Sequence, residues 1–121
     1  HHLGIKLMVV MGHQGCSAVA SARMPTKAIL KEPPKLKDML MDMKRELQYC
    51  ERTLESISDK GAREREATVA NAQNQVRKLL MDPRIQDKVS KGDLLVVAAY
   101  YEIGTGIVDF IEVPMEITDD E

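Results

Sequence analysis

Apolar residues cluster into three strand-like runs, and the segment between the first two has helical periodicity. The runs extend from Lys6 to Met11, from Leu94 to Tyr101 and from Ile107 to Val113. The first two are almost continuously apolar, which is typical of parallel strands covered on both faces. Gly104-Thr105-Gly106 separates the last two runs and predicts a tight hairpin. The pattern therefore predicts an α/β fold with a parallel sheet, flanking helices and an antiparallel C-terminal edge hairpin.

The long segment between the first two strands is predicted to be mostly helical. Pro25 and the pair Pro33-Pro34 interrupt it early, so we expect a loop over residues 24–35. Beyond that loop, apolar side chains, Cys50 among them, recur at spacings of four and three residues, as on one face of a single helix. The predicted helices span Ser17 to Ala22, Leu36 to Ile57, Arg63 to Met81 and Arg84 to Ser90.

The composition is that of a globular protein and argues against two classes of partner. The chain has 121 residues, of which 44% are hydrophobic and 30% are charged, so we expect a single domain over residues 1–121. A net charge of -2 and an aromatic content of 3% argue against a nucleic-acid partner. No apolar run approaches the roughly 20 residues of a membrane span, so we expect no membrane partner.

The cysteine usage bears on the compartment. Cys16 and Cys50 lie in different sequence contexts and do not suggest a disulfide framework. We therefore expect a reducing compartment, the cytoplasm. The periplasm remains the alternative if a targeting segment has been removed.

A candidate metal site follows the first strand, in the run Gly12-His13-Gln14-Gly15-Cys16. His13 would lie at the carboxyl end of the strand and Cys16 in the first turn of a helix, where the helix amino terminus favours a thiolate. Imidazole and thiolate are both zinc ligands, but zinc needs three or four. Cys50 lies in the apolar helix face and is interpreted as a packing residue. From these residues alone, a buried thiol with a capping histidine remains an equal alternative.

The beginning of the sequence indicates a fold that is incomplete at the N-terminus. A strand as apolar as Lys6 to Met11 requires neighbouring strands and helices on both faces. His2-Leu3-Gly4 directly before it is similar to the end of a helix with its C-cap glycine. His1 and His2 also fit the remnant of an affinity tag. We expect a partial domain.

Three segments in order carry a resemblance to a known family. They are the strand and turn from Leu3 to Val19, the helix segment Asn71-Ala72-Gln73-Asn74-Gln75-Val76, and the strand and hairpin from Gly92 to Gly106. Together they resemble the second half of the beta-class carbonic anhydrases, in which a glycine-histidine-x-x-cysteine turn follows a central strand. Ser17 stands where that family usually has glycine.

The resemblance implies a Zn²⁺ enzyme, a carbonate dehydratase (lyase) that reversibly hydrates carbon dioxide to bicarbonate. It implies that His13 and Cys16 are zinc ligands and that the protein forms a homodimer or a larger homo-oligomer. The family's third ligand belongs to an upstream cysteine-x-aspartate-serine-arginine motif, which this sequence lacks. Because the aspartate–arginine pair is absent with it, no catalytic residue is assigned within this chain, and we expect the chain alone to be inactive.

Two other functions remain open at this level. The chain could be a non-catalytic, carbonic-anhydrase-like module that binds a partner chain. It could also bind an anion at the helix amino terminus after Gly15 without a metal, because free amide groups there suit phosphate or bicarbonate.

Overall fold

The computed structural model describes residues 4–114, so His1, His2, Leu3 and residues 115–121 lie outside the described part. Within it a three-stranded sheet accompanies a set of helices. The strands are β1 (Leu7–His13), β2 (Leu95–Glu102) and β3 (Ile107–Ile111). The helices are α1 (Ser17–Ala22), α2 (Thr26–Ile29), α3 (Pro34–Leu47), α4 (Glu51–Ser56), α5 (Lys60–Leu80) and α6 (Pro83–Ser90).

The sheet has the predicted topology, with strand order β1-β2-β3. β1 and β2 are parallel, and their register places Leu7 beside Leu95 and His13 beside Tyr101. β3 returns antiparallel to β2. The prediction of a parallel pair with an antiparallel hairpin is confirmed. β1 also continues two residues beyond the predicted Met11, so His13 belongs to the strand itself.

Helix α5 lies between the sheet and the other helices. One side packs against β1 and β2, where Val76 and Ala98 form a buried cluster with Val10. Its amino-terminal part reaches a second cluster through Ala67, which packs with Val19 and side chains from the other helices. A helix with apolar residues on more than one side is expected in such a middle layer. The second cluster comprises Val19, Ala22, Ile29, Leu40, Met43, Leu54 and Ala67.

The opposite side of the sheet is open within residues 4–114. The strand alternation and the register place ten side chains on this side, which we call the outer face. Six of its apolar members are between 38% and 70% exposed. The outer face comprises Leu7, Val9, Met11, His13, Leu95, Val97, Ala99, Tyr101, Val108 and Phe110.

Three helix predictions need correction. The single helix predicted over 36–57 is broken, because a 3₁₀ turn at Gln48–Cys50 separates α3 from α4. There the Glu51 amide donates to the carbonyl of Gln48, three residues back rather than four. The predicted loop over 24–35 contains the short helix α2, whose Ile29 is buried. α5 begins at Lys60 rather than Arg63, because the Asp59 carboxylate accepts a hydrogen bond from the Ala62 amide (2.7 Å) and caps it.

No helix among residues 4–114 is long and apolar enough to cross a membrane.

Candidate metal centre

His13 is the last residue of β1, and its side chain is exposed on the outer face. Its Nδ1 atom lies 3.1 Å from the carbonyl oxygen of Gln14. A carbonyl oxygen can only accept, so this contact assigns the proton of a neutral ring to Nδ1. The lone pair of Nε2 is then available to ligate a metal, and a backbone carbonyl is a common partner for the other nitrogen of a metal-binding histidine.

Cys16 is the N-cap residue of α1, one position before the first helical turn in which the sequence placed it. Its backbone is extended, and its side chain makes no capping hydrogen bond. The half-buried side chain lines a pocket of about 150 Å³ together with Arg23, Glu64 and Thr68. The thiol therefore does not cap the helix, and it borders a space that a ligand can enter.

Two glycines give the turn its shape. A Cβ atom on Gly12 would lie 2.6 Å from the Cγ2 atom of Thr68, so β1 approaches α5 more closely than a side chain at position 12 allows. Gly15 has a φ of 73°, in the left-handed region that residues with a Cβ rarely adopt. The backbone can therefore reverse between His13 and Cys16, so both residues follow the carboxyl end of β1, with His13 on the outer face and Cys16 in the pocket beside α5.

Gln14 ties this turn to the β2–β3 hairpin. Its backbone amide donates to the carbonyl of Tyr101 (2.9 Å), which continues the β1–β2 pairing by one residue. Its side-chain Oε1 accepts a hydrogen bond from the backbone amide of Gly104 (3.0 Å). The sequence analysis missed Gln14, since its partner lies 90 residues away and no local pattern indicates the contact.

The arginines around the turn are already paired. Arg23, in the pocket wall beside Cys16, contacts the Glu51 carboxylate through Nη2 at 2.6 Å. Arg65 contacts Asp109 (Nη2–Oδ2 3.0 Å), and its guanidinium lies 4.8 Å from the centroid of the Tyr100 ring. Burial raises the pKa of the Tyr100 phenol, while the charge of Arg65 acts in the opposite direction.

The donor types fit zinc, but the donor set is incomplete. Among residues 4–114, no group of three or more histidine, cysteine, aspartate or glutamate side chains is placed to hold a metal ion. Cys50 packs against the second cluster and donates through Sγ to the Leu47 carbonyl (3.3 Å), consistent with its interpretation as a packing residue. A zinc site that used His13 and Cys16 would therefore need at least one more protein ligand.

Comparisons with known proteins show the family of this chain. The family model described as carbonic anhydrase matches residues 1–108. The chain belongs to the carbonic anhydrase family. Comparison with curated proteins gives no significant match.

The solved structures that share the fold of this chain are beta-carbonic anhydrases. A tetrameric beta-carbonic anhydrase of Sordaria macrospora has a TM-score of 0.80 and 23% identity, over 91% of this chain and 54% of that one. The Aspergillus fumigatus beta-carbonic anhydrase CafD has a TM-score of 0.70 and 22% identity, over 92% and 60%. A Coccomyxa beta-carbonic anhydrase in complex with acetazolamide has a TM-score of 0.75 and 23% identity, over 91% and 48%.

The resemblance to beta-class carbonic anhydrases found in the sequence is thus confirmed, as is the fold class. This carbonic anhydrase chain spans about half the length of the solved structures that it matches.

Proposed function

We propose that this chain is part of a zinc-dependent beta-carbonic anhydrase, in which His13 and Cys16 are two of the metal ligands. The observation that carries the proposal is the hydrogen bond from His13 Nδ1 to the Gln14 carbonyl, which leaves Nε2 free in the turn that also presents Cys16. The match to the carbonic anhydrase family, whose members hydrate carbon dioxide, also supports the proposal.

The proposed reaction is the reversible hydration of carbon dioxide to bicarbonate and a proton. A zinc ion in such a site lowers the pKa of its bound water from 15.7 to about 7. The chain's own contribution is to fix an imidazole nitrogen and a thiolate on a turn anchored to the sheet. In such a site His13 would ligate through Nε2 of a ring protonated on Nδ1, and Cys16 would ligate as the thiolate, because only the deprotonated sulfur binds a metal.

The 121-residue chain alone is proposed to be inactive. Among residues 4–114 no group of three or more histidine, cysteine, aspartate or glutamate side chains is placed to hold a metal ion, and the sequence has no cysteine-x-aspartate-serine-arginine motif. The missing ligand and the aspartate–arginine pair would have to come from further chain or from another molecule. We therefore assign no catalytic residue within this chain.

Cobalt binding tests the ligand assignment, because a Co²⁺ ion bound to a thiolate absorbs near-ultraviolet light strongly and the hydrated ion does not. We expect the chain to bind Co²⁺ weakly with a sulfur-to-cobalt band, and both His13→Ala and Cys16→Ser to abolish that band. Cys50→Ser is the matched control and should leave the spectrum unchanged. A band that survives in Cys16→Ser, or disappears in Cys50→Ser, would contradict the assignment. Carbon dioxide hydration above the buffer rate by the purified chain would contradict the proposed inactivity.

The outer face supports a homodimer or larger homo-oligomer. Its exposed apolar side chains form a continuous patch across all three strands, and monomeric proteins rarely expose such patches. The cytoplasm stays our proposal for the compartment, because Cys16 and Cys50 are not joined in a disulfide.

A non-catalytic interaction module is the second candidate function. The same outer face favours it, since the patch would suit a partner chain whether or not zinc is bound. Absence of any Co²⁺–thiolate band in the wild-type chain would favour this candidate over the enzyme.

A further inference from the structure

We infer that Gln14 is a positioning residue, which holds His13 in the tautomer and orientation that present Nε2 to a ligand. Three hydrogen bonds meet at this residue, through its carbonyl, its amide and its side chain. The inference deepens the proposed function, on which its relevance to zinc rests. The hydrogen-bonding role itself stands on contacts that do not involve a metal.

The neutral ring of His13 can exist in two forms. Either nitrogen of a neutral imidazole can carry the proton, and the hydrogen bond made by one nitrogen decides which of them is free. Here the free nitrogen is Nε2, because the Gln14 carbonyl lies 3.1 Å from Nδ1. His13 is exposed, so protein side chains around it do not fix the ring by packing. The direction of the Gln14 carbonyl is therefore the main local restraint on this ring.

Two hydrogen bonds of Gln14 restrain the direction of its carbonyl. The Gln14 amide, which belongs to the peptide before its Cα atom, donates to the Tyr101 carbonyl (2.9 Å), whereas the Gln14 carbonyl belongs to the next peptide, toward Gly15. Gly15 follows with a left-handed backbone, and a glycine restrains the preceding residue less than other residues do. The bond from the Gly104 amide to Oε1 (3.0 Å) adds a second attachment to the same residue, from the hairpin on the far side of β2. Because its amide and its side chain are both attached, the Cα atom of Gln14 is fixed in position, and this limits how far the following peptide can turn the Gln14 carbonyl away from Nδ1.

The side chain of Gln14 can be changed without removing its backbone amide or carbonyl. Gln14→Met keeps a side chain of similar length and removes the acceptor, whereas Gln14→Glu retains an acceptor oxygen for the Gly104 amide. Gln86→Met makes the same change at an exposed glutamine of α6, away from the turn, and is the matched control.

The primary readout is the tautomer of His13, measured by ¹⁵N NMR of the imidazole at mildly alkaline pH, where histidine rings are neutral. We expect the Nδ1-protonated form in the wild type, in Gln14→Glu and in Gln86→Met. Gln14→Met should contain a substantial fraction of the Nε2-protonated form, and its Gly104 amide should exchange faster with solvent. A destabilised but otherwise unchanged turn would not move the tautomer. An unaltered tautomer in Gln14→Met would overturn the inference.

The second readout is affinity for Co²⁺ alone. The dissociation constant should rise about threefold to tenfold in Gln14→Met, the range expected for losing one hydrogen bond, and stay within twofold of wild type in Gln14→Glu. If the wild type binds no Co²⁺ while the tautomer still depends on Gln14, the zinc assignment fails and the positioning role stands. If the wild type binds Co²⁺ and Gln14→Met changes neither tautomer nor affinity, the positioning role fails and the zinc assignment stands.

Discussion

Gly12 illustrates how closely the turn with the proposed ligands is confined. The residue faces α5 from the inner side of β1, and the Cγ2 atom and carbonyl oxygen of Thr68 would lie 2.6 Å and 3.3 Å from a Cβ atom there. Thr68 is itself buried, so its methyl group has little room to move away. The absence of a side chain at position 12 is therefore a requirement of the packing between strand and helix.

We predict that Gly12→Ala lowers the free energy of unfolding by about 1–3 kcal/mol, the usual cost of inserting a methyl group into a packed interior. Chemical denaturation measures this change. Thr68→Ser removes the clashing methyl group, so the double variant should recover part of the loss.

Gly61→Ala is the control for this experiment. A Cβ atom there would approach an Asp59 carboxylate oxygen at an ordinary 3.4 Å, and the residue lies in a helix, where alanine is favoured over glycine. It should cause no loss of stability. Equal stability of Gly12→Ala and the wild type would show that the strand and helix can separate at no cost.

At the scale of elements, the amino-terminal ends of α5 and α6 are each capped by the side chain of one aspartate. Asp59 accepts from the Ala62 amide (2.7 Å), and Asp82 accepts from the Arg84 amide (2.8 Å). Such bonds satisfy amides that have no partner within the helix. The hydrogen bonds from the Arg84 side chain and amide also lower the pKa of Asp82 to about 2. This carboxylate therefore remains charged, and able to accept, at all but very acidic pH.

We predict that Asp59→Ala destabilises the protein by about 1 kcal/mol, the typical cost of removing an N-cap side chain. Asp59→Asn keeps a capping oxygen and should lose much less. Urea denaturation of the two variants beside the wild type measures the difference. Equal losses in both variants would mean that the charge of Asp59, rather than its capping bond, stabilises α5.

The break between α3 and α4 shows the limit of periodicity as a predictor of elements. Leu40, Leu47 and Leu54 are all buried, as the apolar repeat requires. The repeat continues across the 3₁₀ turn because one tighter turn shifts the helix phase only slightly. An apolar stripe therefore reports which side chains are buried, whereas the local hydrogen-bond pattern decides whether the helix is continuous.

At the scale of the whole molecule, the described helices lie on one side of the sheet. The covered side of the sheet includes Met8, Val10 and Gly12 of β1. It also includes Val96 and Ala98 of β2. The outer face carries comparably apolar residues that the described part of the chain leaves exposed. Because exposed apolar area costs free energy in water, this side of the sheet is where association is expected.

We predict that the purified chain sediments as a species larger than a monomer, and that lysine substitutions on the outer face shift it toward the monomer. Leu95→Lys and Phe110→Lys are suitable, since these side chains are 60% and 70% exposed and lysine should not disturb the covered side. Analytical ultracentrifugation over a range of concentrations measures the shift.

Met81→Lys is the control for this prediction, because Met81 is equally exposed but lies at the carboxyl end of α5. It should leave the sedimentation unchanged. A monomeric wild-type chain, or the same shift in Met81→Lys, would contradict association through the outer face.

The sequence by itself determined the strands, the hairpin and the family, and the family resemblance led to the proposal that His13 and Cys16 are ligands. Those features depend on short-range patterns: continuous apolar runs, glycines in turns, and a histidine and a cysteine three residues apart. Such patterns act through neighbouring residues, so they can be interpreted without knowing the fold.

Only the tertiary structure decided how the turn is held and which side of the sheet remains open. Thr68 confines Gly12 from another element, and Gly104 reaches Gln14 across 90 residues of sequence. The apolar residues of β1 look alike in the sequence, yet Val10 packs against α5 and Met8 is half-buried on the same side, while Val9 and Met11 are exposed. These distinctions arise from packing between distant segments, because a side chain's environment is set by what folds against it.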